Sequence, residues 1–157
     1  MPRPVVEVRA PQPGDVEQLV ANMRDQDVAE VRAAGRDDLA AVVHESIAMS
    51  QLCWTVTVDG ELACILGLSV QGTVLAPIGV PWMLGTPLVP ANRRPLAKLT
   101  PRYIERMLQA APHLVNFVHA RNTVAVHWLK KVGFHLRPAT PHGPRGELFH
   151  LFEMHHV

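Results

Sequence analysis

The segment from Asn122 to Phe134, Asn-Thr-Val-Ala-Val-His-Trp-Leu-Lys-Lys-Val-Gly-Phe, constrains what this chain can fold into more than any other. A short apolar run at 114–118, Leu-Val-Asn-Phe-Val, precedes it and reads as a buried strand. Asn122 suits the N-cap of a helix, where its side-chain oxygen accepts from the first unpaired N–H groups. Val124, Ala125, Trp128, Leu129 and Val132 recur at three- and four-residue spacing and so share one helical face. Gly133 supplies the left-handed residue that stops the helix, and Phe134 opens a new extended segment. The spacing therefore predicts a strand, a capped amphipathic helix and a second strand, a unit that must lay its helix on a sheet.

The remainder of the chain supplies that sheet. Residues 5–9 alternate as a first strand, and Asp15 is placed to cap a helix reaching Met23. A second helical piece covers 27–34 and ends at Gly35; Asp37 or Asp38 opens a third, to Met49. The clearest hairpin lies at 53–58 and 61–66, around the type I′ pair Asp59-Gly60. A fourth strand is expected at 80–86, then a Pro-rich loop over 87–95. A long helix follows that either begins at Thr100 or kinks there, since Thr-Pro is a strong helix-start signal. Its stripe is Tyr103, Ile104, Met107, Leu108 and Ala111. After Phe134 a Pro/Gly-rich loop, 138–146, leads to a last strand at 147–154. This order predicts a single α/β layered domain over 1–157, with a mixed sheet and helices on both faces.

Charge excludes some functions. Fifteen basic residues face fourteen acidic ones, and no basic stripe marks the chain for nucleic acid or an anionic membrane. The longest apolar run, 74–84, is broken by Pro77, Gly79 and Pro81 and is too short to span a bilayer. The N-terminal Met-Pro-Arg-Pro lacks the apolar core of a signal peptide, so a cytoplasmic protein is expected. The two cysteines, Cys53 and Cys64, fall on the hairpin strands; Cys64 is expected opposite Thr55, which leaves the thiols diagonal and reduced. Nine histidines show no standard zinc spacing, and no metal site is assigned.

The unit from 114 to 134, with Asn122, Ala125, Lys131, Gly133 and Phe134 in register, resembles the closing unit of the GNAT acetyltransferase family. The element order extends that resemblance over the whole chain. That resemblance implies a mostly antiparallel sheet, and it looks closer still to a phage-encoded subgroup that includes the internal virion protein A of short-tailed phages. The residues that carry this are Arg24 with Asp27 and Glu30, Pro81-Trp-Met-Leu-Gly-Thr86, Leu114-Val-Asn-Phe-Val118, Ala120-Arg-Asn122, Trp128-Leu-Lys-Lys-Val-Gly-Phe134 and Phe149-His-Leu-Phe-Glu-Met154.

The resemblance implies acetyl-CoA as cofactor and an amine as acceptor. Such a reaction needs a pyrophosphate cradle, an oxyanion donor, a base for the amine and an acid for the thiolate. The family's glycine-rich cradle corresponds here to 89–95, which contains no glycine, so Asn92, Arg93 and Arg94 are the candidates for phosphate contact. The backbone of 82–86, Leu84, Gly85 and Thr86 above all, is the candidate for the oxyanion and for the cofactor's pantetheine arm, with Asn122 as a further cofactor contact. Asp27 and Glu30 are the candidate bases; the alternative is a solvated helix face paired with Arg24 and Arg32. Glu45 and His119 are weaker candidates. The family's acid tyrosine is replaced by Leu129. Two functions follow: an N-acyltransferase with a degenerate cofactor loop, or an inactive GNAT-fold component that contacts phage structural proteins. The first places the chain in the host cytoplasm and the second in a virion.

Overall fold

A computed structural model describes residues 2–156, and its sheet grows outward from the expected hairpin. β2 (Leu52–Val58) and β3 (Glu61–Gly72) pair antiparallel around Asp59 (φ 50°) and Gly60 (φ 81°), the positive dihedrals of a type I′ turn. The register slips by one residue between Val56 and Thr57, so Cys64 lies opposite Val56, not Thr55. Ala63 is the extra residue of a β-bulge, a feature that turn chemistry alone does not forecast. Cys53 faces Gly67, and both thiols are free.

β1 (Val6–Arg9) adds to one side of β2, and β4 (Pro77–Gly85) pairs with β3. β5 (His113–His119) joins β4 in parallel, and β8 (Glu147–His155) runs antiparallel beside β5. Two short strands, β6 (His135–Leu136) and β7 (Thr140–His142), both pair with the outer edge of β8. β7 falls inside the expected 138–146 loop. The result is an eight-stranded sheet in which β4–β5 is the parallel pair among otherwise antiparallel neighbours.

Helices cover both faces, as expected. α1 (Asp15–Asn22), α2 (Asp25–Ala33) and α3 (Leu39–Met49) build one core around Leu19, Val31, Val43 and Ile65. On the opposite face α5 (Arg93–Ala110) and α6 (Thr123–Val132) pack Met107, Ala125 and Leu129 over Leu68, Leu114 and Phe152. Among the described residues no helix is long and apolar enough to cross a membrane.

Three local expectations are corrected. Asp15 does not cap α1: Gly14 holds that position, and the Asp15 carboxylate is buried against Arg9, the Gln12 N–H and Thr55. The Pro-rich segment is not a loop, because α4 (Leu88–Ala91) forms a helical turn that leads into α5 at Arg93. Its prolines fall in first turns, where a missing N–H costs little. Nor does α5 start at Thr100. It runs through Pro101, and the Thr100 hydroxyl bonds back to the Leu96 carbonyl at 2.8 Å.

Candidate functional site: a wedge between two parallel strands

β4 and β5 pair only at Ile78–His113 and Gly79–Leu114, then separate. Continuing that register would set Pro81 opposite Asn116, and proline has no N–H to give the ladder. The Asn116 side-chain amide reaches the Pro81 carbonyl instead, at 2.7 Å. Beyond this point the strands splay, and a cavity of about 270 Å³ passes between them. Its wall takes Glu30 and Ser46 from one face of the sheet, and Ile104, Ala125 and Leu129 from the other.

The open edge of β4 follows from strand alternation. Pro81 and Gly85 both turn their carbonyls toward β5, to Asn116 and to the Arg24 N–H (2.9 Å). Met83, midway between them, therefore presents its N–H and carbonyl to the same gap. Met83 and Leu84 both line the cavity.

At the mouth of the wedge four polar side chains meet. One Asp27 oxygen accepts the Gly85 N–H at 2.9 Å, and the other accepts Arg24 (3.0 Å) and the Asn122 amide (2.9 Å). Asn122 also accepts from Arg24 at 3.3 Å and extends its amide toward Glu30 at 3.4 Å. Glu30 accepts the His119 N–H at 2.8 Å, which ties α2 to the end of β5. Arg24, Asp27 and Asn122 are buried. Each charge is paired, as burial requires.

Glu30 is the perturbed acid of this group. Loss of solvent around its carboxyl, helped by the neighbouring Asp27 charge, pushes its pKa up to about 7, against the pull of the His119 N–H, Asn122 and Arg24. A carboxylate so placed exchanges a proton near neutral pH, which suits general base chemistry.

The structure thus brings Asp27, Glu30 and Asn122 together; the Arg24–Asp27 pair of the alternative reading is present at three-residue spacing, but on a buried face and not a solvated one. Asn122 sits at the N-cap of α6 but makes no cap bond, because its side chain is spent on the cluster. Gly85 and Thr86 have no N–H to offer a ligand: Gly85 donates to Asp27, and Thr86 donates to the Ala63 carbonyl at 2.8 Å. Leu84 lines the wedge. Asn92 bonds back to the Leu88 carbonyl, and Arg93 and Arg94 are exposed at the start of α5, away from the cavity wall. Glu45 forms a surface pair with Arg36, and the His119 ring contacts Glu147. Val124, expected on the covered face of α6, is 38% exposed. Met83 falls inside the expected 82–86 backbone; Asn116 was not anticipated, and the one available signal was a lone amide inside the apolar run 114–118.

This sheet, splayed between its central parallel strands, defines the fold of the GNAT acetyltransferases. Solved structures over nearly the full chain share it. An aminoglycoside N(6′)-acetyltransferase from Legionella pneumophila superposes with a TM-score of 0.69 at 11% identity, over 99% of this chain and 94% of its own. A chimera of the spermidine N-acetyltransferase SpeG of Vibrio cholerae with hSSAT gives 0.65 at 13%, over 96% and 95%. The yncA protein of Salmonella typhimurium, solved with its cofactor acetyl-CoA, gives 0.62 at 10%, over 96% and 93%. No family model matches the sequence, and no curated protein matches it significantly. At these identities the likeness is one of fold.

Proposed function

We propose that the protein is an N-acyltransferase that moves an acetyl group from acetyl-CoA to an amine. The observation that carries this reading is the cavity that crosses the sheet through the β4–β5 splay, with Glu30 on one face and an apolar wall from α5 and α6 on the other. Two ligands entering from opposite faces meet there at the open edge of β4.

The residues fit the donor's narrow arm better than its phosphates. Met83 offers an unpaired N–H and carbonyl to an extended amide-bearing chain, and Ile104, Ala125 and Leu129 enclose it. Arg93 and Arg94 remain phosphate candidates through charge, and Asn92 through its neutral side-chain amide. Pro95 removes one N–H from the first turn of α5, and no glycine lets the backbone approach closely. When bound, the cofactor supplies an activated thioester carbonyl. Toward it the Met83 N–H is the donor placed to stabilise negative charge on the acyl oxygen. Ionised Glu30 takes the proton that a protonated amine must lose before attack. Leu129 on the wall gives the departing sulfur no proton, so that step falls to water.

A second reading rests on the same cluster. Asp27, Asn122, Arg24 and the Gly85 N–H satisfy one another with no ligand present, as they would in a fold kept only for assembly. In that case the chain is an inactive component contacting phage structural proteins.

Calorimetric titration with acetyl-CoA, followed by thiol release with mixed amines, separates the two. Micromolar binding with thiol release supports the enzyme. Absence of binding up to millimolar acetyl-CoA overturns it and leaves the structural reading.

A further inference from the structure

Away from the wedge, at the closed end of the β4–β5 pair, three donor atoms converge on the β5–β8 ladder. His113 and His155 are direct partners across the two strands, and Glu153 lies two residues along β8, on the same face. His113 Nε2 stands 3.2 Å from Glu153 Oε1, and His155 Nε2 stands 3.4 Å from the same oxygen. All three donor atoms fall within 4.8 Å of one another. The two rings stack with centroids 4.0 Å apart and planes inclined by 13°, so both Nε2 edges meet the carboxylate side by side.

We infer that His113, Glu153 and His155 form a binding site for a divalent first-row transition metal ion such as Zn²⁺. Two imidazole nitrogens and one carboxylate oxygen are a donor set that zinc takes, with a fourth position left to water. The spacing suits it as well. Zinc bonds of about 2.0–2.1 Å in a tetrahedron set neighbouring donors about 3.3 Å apart, and two of the three separations here are 3.2 and 3.4 Å. Glu153 Oε1 accepts from both rings as they stand; to share an ion, the His155 ring, 65% exposed, turns so that its Nε2 lone pair converges with that of His113. Glu153 is also braced from behind. Arg137 donates to its second oxygen at 2.9 Å, which leaves Oε1 turned toward the histidines. Such outer partners commonly fix the orientation of metal-bound carboxylates.

The strand pairing does most of the organising, so little ordering entropy stands against the ion. Its place in the fold makes it a staple. It would hold the last strand to β5 at the end opposite the Asp27 cluster, and so act on stability and not on the wedge. Calcium and magnesium, which prefer oxygen donors, are not expected there.

The test is titration of the metal-free protein with Zn²⁺ by calorimetry, alongside thermal melting. One ion per chain should bind with a Kd in the low micromolar range or below. Melting should rise by roughly 5 °C at a hundredfold excess over Kd, and Mg²⁺ should give neither effect. His155→Ala removes a side chain that is 65% exposed, so its fold is secure; it should weaken binding at least tenfold, as should Glu153→Gln. His127→Ala, on the exposed face of α6, should change nothing. No stoichiometric binding below about 100 µM Zn²⁺ overturns the assignment, a threshold far weaker than structural zinc sites. So does binding that persists unchanged in both His155→Ala and Glu153→Gln.

Discussion

Asp27 and Asn122 are 95 residues apart in sequence and 2.9 Å apart in the fold. Their contact, with the Gly85 N–H on the other Asp27 oxygen at 2.9 Å, makes one carboxylate a bridge across the splayed strands. It joins the end of β4 to the turn between β5 and α6. The wedge is therefore held at its mouth by side chains and at its apex by two backbone pairs.

Asp27→Ala should accordingly cost about 3 kcal/mol, because it strands the buried Arg24 guanidinium without its carboxylate and leaves the Gly85 N–H unpaired. Urea unfolding of the variant measures this. A loss below about 1 kcal/mol, the worth of an ordinary exposed pair, would mean that the bridge does not hold the strands.

Glu30 makes stability fall with pH over a defined window. Its folded pKa of about 7 lies above the ordinary value of 4.5, so between those values the folded state holds the proton more tightly. Its contribution is full below about pH 4.5 and is lost as pH rises to about 7, a change of up to about 3 kcal/mol. Glu30→Gln should flatten that slope in melts taken across the window. If the acyltransferase reading holds, the same change lowers turnover by about 10²-fold or more and removes an acid limb near pH 7 from kcat/KM. An unaltered pH profile would exclude Glu30 as the base.

Residues whose partners are close in sequence were legible from sequence. The α6 unit, the Asp59-Gly60 turn and the α3 cap, narrowed to Asp37 or Asp38 and made by Asp38 to the Ala41 N–H at 3.0 Å, all declare themselves within a few positions. What was hidden is non-local. Asn122 looks like a cap because its position is one, yet the buried Arg24 and Asp27 claim its side chain. The Ala63 bulge changes the register of a correctly placed hairpin. The wedge itself depends on Pro81 falling opposite Asn116, and that requires knowing which strands are neighbours. That Asp27 and Glu30 share one helix turn was visible in their spacing; their burial was not.

Arg93 and Arg94 are exposed, so replacing both with Ala should leave melting within about 0.5 kcal/mol of the parent. Under the proposed function it should weaken acetyl-CoA binding about tenfold or more at low salt, and less as salt rises. Calorimetry at two ionic strengths measures both. Unchanged affinity would release the two arginines from the phosphates.

Gly79 sits at the last paired position of β4 and β5, and a Cβ there would meet Leu114 Cδ2 at 2.7 Å, Leu68 Cδ1 at 2.9 Å and Ala111 Cβ at 3.1 Å. Gly79→Ala should therefore push the apex apart and cost about 1–3 kcal/mol, the usual range for overpacking. Stability alone does not test the wedge, so a matched variant is needed. Gly60→Ala strains a residue at φ 81° on the hairpin tip, with nothing within 4 Å of the added carbon, for a comparable cost of about 1–2 kcal/mol. Under the proposed function the two should part in affinity. Gly79→Ala changes the angle at which β4 and β5 diverge and should weaken acetyl-CoA binding severalfold, while Gly60→Ala leaves it intact. Equal affinities at equal stability would mean that the splay is not where the ligand is held.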